Sequence, residues 1–159
     1  MSFKKVRGGV CAPQGFRGGA VSCGIKEVGN PRDDLALIYS DHPCVSAGTF
    51  TTNRVKAAPV KVTQAHLRAM DLRAVIANSG NANACTGVPG ITDARQMAKT
   101  VASSLGIRQR EVGVCSTGVI GLPLPMQRME EGLHTLPTKL TRDGGRQVAE
   151  AIMTSDTTV

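Results

Sequence analysis

The residues of this chain best suited to chemistry are hydroxyls and amides at backbone turns rather than acids, bases or thiols. Residues 112–125 read VGVCSTGVIGLPLP, a β-prone run that stops at Ser116-Thr117-Gly118, restarts for two residues and breaks again at Gly121. A backbone that turns sharply beside two hydroxyls exposes N–H groups, and exposed N–H groups hold anions or developing oxyanions. The same residues also read more plainly, as a strand ending in a glycine turn. A second stretch, residues 78–87, reads NSGNANACTG. Its Asn and Gly tolerate left-handed backbone, and Asn side chains bond nearby main chain. It therefore reads as a tight loop after a strand, either a pocket wall or anion nest or simply a long turn. The third is Thr154-Ser155-Asp156-Thr157-Thr158, a hydroxyl cluster around one carboxylate.

Other chemistries lack their residues. There is no GxGxxG after a strand, no phosphate-binding GxxxxGK[ST] loop, no HExxH and no GxSxG, so the common nucleotide, metalloprotease and hydrolase patterns are missing. His42, His66 and His134 stand far apart, and none carries a supporting motif. Five cysteines are scattered singly, and His42-Pro43-Cys44, the only close His/Cys pair, has no further ligands at usual spacing. No metal site is expected. Cys115 lies beside the turn and could be a nucleophile, but a single β-strand cysteine reads first as packed core. Reduced, mostly packed thiols suit a cytoplasmic protein. What remains is a site half that holds an acyl oxygen or polar substrate and has no obvious nucleophile of its own.

Composition sets the frame for those residues. A chain of 159 residues, 41% apolar, is long enough for one domain with a real core, and a second domain is not expected. With Gly 18, no Trp, one Tyr and three Phe, that core must be built from Val, Ile, Leu, Ala and Met. The net charge of +7 invites a nucleic-acid reading. Its distribution argues against one: Lys4, Lys5, Arg7, Arg17 and Lys26 precede the first acid, Glu27, but no dense basic run follows and aromatics for base stacking are nearly absent. No apolar run resembles a secretory signal or a membrane span.

The elements that must position the turn follow from periodicity. Residues 1–19 read as an extended lead-in and 18–26 as a short β-prone piece, with a turn at 29–33. Residues 34–40 and 44–51 read as two strands of an antiparallel hairpin. Pro59 interrupts 55–62, which makes it an edge strand or two short pieces, and Thr63 can cap a short helix to about residue 70. Residues 72–78 form a compact apolar strand. Thr92 caps the best helix, with Ala94, Met97, Ala98, Val101, Ala102 and Leu105 at helical spacing and Gly106 just past its end. Residues 108–111 read as a charged linker. Pro125 suits the first position of a further helix with Met126, Met129, Leu133 and Leu136 as its stripe. Residues 137–142 read as a loop, and 145–153 as a last short helix.

Taken as a set, the motifs become specific. Gly15-Phe16 with Gly24-Ile25-Lys26, the run FTTNRVKAAPV at 50–60, NSGNANACTG at 78–87, STGVIG at 116–121 followed by PLPM, and AIMTSDT at 151–157 occur in that order along nearly the whole chain. The chain resembles the ornithine acetyltransferase family, also called glutamate N-acetyltransferase, an enzyme type with a self-generated N-terminal nucleophile. The resemblance implies a mixed α/β layered sandwich with a β core flanked by helices. It implies acetyl transfer from N-acetylornithine to glutamate through an acetyl-threonine intermediate, in cyclic arginine biosynthesis. An N-terminal amine can act as base for its own threonine hydroxyl.

Carried over by position, Thr117 and Gly118 match the oxyanion-hole pair, and Thr154 a substrate-binding threonine; Ser155 replaces the threonine common there. No cofactor is implied, with acetyl-CoA conceivable as a substrate. The resemblance places the nucleophilic threonine in a β chain cut from the same precursor at a KGxGM segment that these residues lack. The chain is accordingly expected to be most of an α chain without its C-terminal end, inactive alone and part of an α2β2 heterotetramer in the cytoplasm. Two other readings remain: a related self-cleaving amidohydrolase or acyltransferase with another substrate, and a basic nucleic-acid-binding module.

Overall fold

Alternating side chains build a four-stranded sheet ordered β1-β2-β3-β4, from β1 (Phe16–Val21), β2 (Leu35–Ser40), β3 (Ala74–Asn81) and β4 (Val112–Val119). The computed structural model describes residues 3, 6–26, 32–156 and 158. The first three strands pair antiparallel, and β3 pairs parallel with β4. The parallel step needs a crossover, which helix α2 (Gly87–Leu105) provides. Helix α1 (Ala58–Ala69) precedes β3, and α3 (Met126–Thr135) and α4 (Gly145–Ile152) follow β4.

Side chains alternate across each strand, so Leu35, Leu37 and Tyr39 of β2 enter the main core with Ile76, Val112, Val114, Met97, Val101, Met129 and Leu133. Ala36 points the other way and packs with Val148 and Ala151 of α4. Helices thus lie on both faces of a β core, the layered arrangement expected. The stripes of α2 and α3 are buried as their spacing predicts, with Met97, Ala98, Met129 and Leu133 fully enclosed.

Several local expectations are corrected. Residues 44–51 are not a strand; β2 is flanked on both sides already, by β1 and β3. The segment instead lies beside residues 71–72 through side chains, with the Ser46 N–H donating to Asp71 at 2.9 Å and the Leu72 N–H to Ser46 Oγ at 2.8 Å. Pro59 does not break a strand but sits in the first turn of α1, where its missing N–H costs nothing. Thr63 is inside that helix rather than capping it, and α2 begins before Thr92, whose hydroxyl donates back to Val88 O at 3.3 Å. Pro125 occupies the position just ahead of α3. Residues 136–139 wind into a 3-10 turn, as do 109–111. In the turn expected at 29–33, Gly29, Asn30 and Pro31 lie outside the described residues, as do Met1, Ser2, Lys4 and Lys5 of the lead-in.

Candidate active site

Both unusual stretches run further as strand than their composition suggests. β3 continues through Asn78-Ser79-Gly80-Asn81, and β4 through Ser116-Thr117-Gly118-Val119, in unbroken parallel register: Asn78 faces Ser116, Ser79 faces Thr117, Gly80 faces Gly118 and Asn81 faces Val119. The register holds because two glycines meet where side chains would collide. Gly118 has φ +125°, and a Cβ there would lie 2.2 Å from the Gly80 carbonyl oxygen. Gly80 has φ +110°, and a Cβ on it would lie 2.9 Å from the main chain at Ile25 and Lys26. Only glycine suits both positions.

The two halves of β4 have different outer edges. Val114 turns its N–H and its carbonyl away from β3, and Thr63 of α1 takes both, its hydroxyl accepting at 2.8 Å and donating at 2.7 Å. One step earlier, His66 Nδ1 lies 2.8 Å from the buried Val112 carbonyl oxygen. In a parallel ladder alternate residues turn their peptide groups to the same side, so the amides of Ser116 and Gly118 follow Val114 outward, where α1 offers Pro59 and Val60 but no hydroxyl to take them. Thr117 beside them is exposed, and its hydroxyl bonds no described residue. An outward amide next to a free hydroxyl is the donor pair an oxyanion requires.

Hydrogen bonds brace this end of the sheet. Buried Asn78 accepts from Ser116 Oγ at 2.6 Å and donates to the Asn81 carbonyl at 2.9 Å. Asn83, fully buried at φ +46°, donates to Gly90 O in α2 at 2.9 Å and accepts from Thr86 Oγ1 at 2.6 Å. Its own carbonyl receives the first N–H of α1, from Ala58, at 3.1 Å. The turn after β4 is tied to the same loop, with Ala82 N–H to Val119 O at 2.8 Å and Gly121 N–H to Ala84 O at 2.9 Å. The Asn-rich residues are thus the last turn of a strand and then a junction for α1, α2 and β4.

Thr154 reaches the same end of the sheet by a different route. Ser79, the register partner of Thr117, donates its hydroxyl to the Ala151 carbonyl, and Lys26 Nζ donates to that carbonyl at 3.2 Å. Three residues on, Thr154 is exposed, its N–H bonded to Asp156 at 3.0 Å. Thr157, part of the expected hydroxyl cluster, lies outside the described residues. Burial lowers the Lys26 amine from its ordinary value, with Asp34 opposing the shift. Asp34 itself accepts the N–H groups of Cys23 at 2.7 Å and Lys26 at 3.3 Å, which fixes the loop that carries Lys26.

Cys115 is not the packed core residue expected; it is exposed on β4. Although the residue is exposed, the strand packed around its sulfur withholds enough water to raise the thiol above the ordinary value, the opposite of what a nucleophilic cysteine needs. Among the described residues no group of three His, Cys, Asp or Glu gathers as a metal would require. Sequence reading missed Thr63, His66, Ser79 and Lys26 as supports. Lys26 and Ser79 lie within the motifs that carry the resemblance, with no role attached to them, and Thr63 read as a helix cap, a different job.

Comparison with known proteins settles the lineage. The family model described as the ArgJ family matches residues 17–159. The chain belongs to the ArgJ family. It is 51% identical over 150 residues to the arginine biosynthesis bifunctional protein ArgJ of Symbiobacterium thermophilum, covering 94% of this chain and 37% of that protein. It is also 51% identical over 144 residues to ArgJ of Geobacter sulfurreducens, covering 91% and 36%. Among solved ArgJ-type structures, the ornithine acetyltransferase of Mycobacterium tuberculosis complexed with ornithine superposes with a TM-score of 0.90 at 45% identity, over 96% of this chain and 82% of that one. The ArgJ of Bacillus halodurans gives 0.86 at 41%, over 94% and 78%. The chain spans just over a third of the length of the curated ArgJ relatives it matches.

Proposed function

We propose that this chain is the acyl-oxygen-binding part of an acetyltransferase that moves an acetyl group from N-acetylornithine to glutamate in arginine biosynthesis. The observation that carries this reading is the outward Gly118 amide beside the free Thr117 hydroxyl, at the carboxyl end of a parallel strand pair in an ArgJ-family chain. A solved relative complexed with ornithine supports the substrate class.

In this reading a threonine hydroxyl of a partner β chain attacks the acetyl carbonyl. The carbonyl oxygen becomes an oxyanion held by Gly118 N–H and Thr117 Oγ, the C–N bond breaks, and ornithine leaves after its amine takes the proton. The amine of glutamate then attacks the acetyl ester, the same donors hold the second oxyanion, the C–O bond to threonine breaks, and the threonine oxygen regains its hydroxyl by taking the proton the amine gives up. Thr154 contacts substrate from the end of α4. No cofactor takes part, and acetyl-CoA enters, where it is used, as an alternative donor. The chain works with its β chain as an α2β2 assembly in the cytoplasm. Among the described residues no helix is long and apolar enough to cross a membrane.

The test is to assay acetyl transfer from N-acetylornithine to glutamate with this chain alone and with the β chain supplied. Turnover is expected only with both. Thr117→Ala is expected to lower kcat by about 100-fold to 1,000-fold, the usual loss for one oxyanion donor, with an unchanged melting temperature. Turnover by this chain alone, or a full rate in Thr117→Ala, overturns the reading.

A further inference from the structure

A cleft of about 460 Å3 opens between the starts of α1 and α2, and no residue of β4 and not Thr154 lines it. Arg54, Lys56 and Lys61 line one side; Cys85, Val88 and Ile91 line the other. Among the described residues the charge on this wall meets no acid: none lines the cleft, none lies in the first turn of either helix, and no ion pair engages any of the three cations. Neither helix start has a side-chain cap: Ala57 ahead of α1 has no polar group, and the Thr86 hydroxyl ahead of α2 is turned to Asn83 instead. Like charges gathered without a counter-charge repel one another. A group with a single negative charge offsets about a third of those three charges, whereas a phosphate, at about −1.5 to −2 near neutral pH, offsets half or more and accepts several charge-assisted hydrogen bonds. The opposite wall is apolar, and Val88 is 79% exposed there.

We propose that this cleft binds a phosphate-bearing small molecule, its phosphate held by Arg54, Lys56 and Lys61 and its apolar part laid on Val88 and Ile91. The proposal does not depend on the acetyl-transfer reading, because the two sites share no residue.

Two exposed cysteines provide the measurement. Cys85 lines the cleft, whereas Cys115 lies outside it on β4. The alkylation rate of each thiol in the intact protein, resolved by peptide mapping, is followed as inorganic pyrophosphate is added at near-physiological salt. Cys85 is expected to be protected saturably and Cys115 to react at an unchanged rate. Lys56→Gln and Lys61→Gln are each expected to raise the half-protecting concentration roughly tenfold or more, as loss of a hydrogen bond to a charged group does. Lys99→Gln, on α2 but outside the cleft, is expected to leave it unchanged. Phenyl phosphate is expected to protect at lower concentration than inorganic phosphate. The proposal is overturned by no protection, by parallel protection of both thiols, by protection seen only at low salt, or by an equal response in Lys99→Gln. Equal protection by phenyl phosphate and phosphate overturns the apolar contact.

Discussion

The two halves of β4 are one ladder with two fates. From Val112 to Val114 the strand is buried, and α1 seals its outer edge through His66 and Thr63. From Ser116 onward the same strand keeps its pairing with β3, but the first turn of α1 carries Pro59 and Val60 instead of a hydroxyl or imidazole, so the outward amides stay unclaimed. An exposed strand edge is ordinarily a liability, a template for unwanted pairing. Here the open part is short, and a glycine at φ +125° ends its regular backbone. A strand edge becomes a donor site where the helix beside it offers no side chain to bond it.

The comparison is broken most severely by placing a methyl in each half. Gly118→Ala must hold a side chain at positive φ and drives Cβ into the Gly80 carbonyl. Loss of about 3 kcal/mol or more of stability is expected, read by urea unfolding, together with acetyl-transfer activity near background. Gly113→Ala in the sealed half meets Leu72 Cδ1 at 3.0 Å, a side chain that can shift, and is expected to cost about 1 kcal/mol. Equal effects would erase the distinction between the halves.

Thr63→Val keeps the shape of α1 but leaves the Val114 N–H and carbonyl without a partner. A loss of about 1–3 kcal/mol is expected by thermal unfolding, with KM unchanged, since the sealed half touches no substrate in the proposed reaction. The smallest effect belongs to Cys115→Ser, where an exposed thiol with a raised pKa gives way to a hydroxyl. Less than about a twofold change in kcat is expected, because no proton or bond is assigned to that sulfur; a large loss would move the nucleophile back into this chain.

The residues that were legible in the sequence are those whose partners lie nearby along it. The stripe from Ala94 to Leu105 gave α2 its face, and Met129 and Leu133 gave α3 its own. Misreadings fell where a distant partner decides. Residues 44–51 alternate like a strand, yet β3 already occupies the edge of β2 that they would need. Asn78 to Asn81 look unfit for a strand, yet β4 supplies eight register partners for β3, and the small side chains are what let the glycines face. Pro59 looks like a breaker until the Asn83 carbonyl is seen receiving the amide just before it. For the site, Thr117 and Gly118 were visible as a turn with donors. What their spacing could not reveal is that Thr63 satisfies Val114 and no α1 side chain does the same for them.

Asn83 has a consequence for how the molecule loosens. One buried residue receives the first amide of α1, donates into the first turn of α2 and sits in the loop that holds the exit of β4. Those three ends cannot fray one at a time, because each is fastened to the same knot. Local opening there is therefore expected to be all-or-none, with the amides of Ala58, Ala82 and Gly121 exchanging with solvent as a single cooperative group.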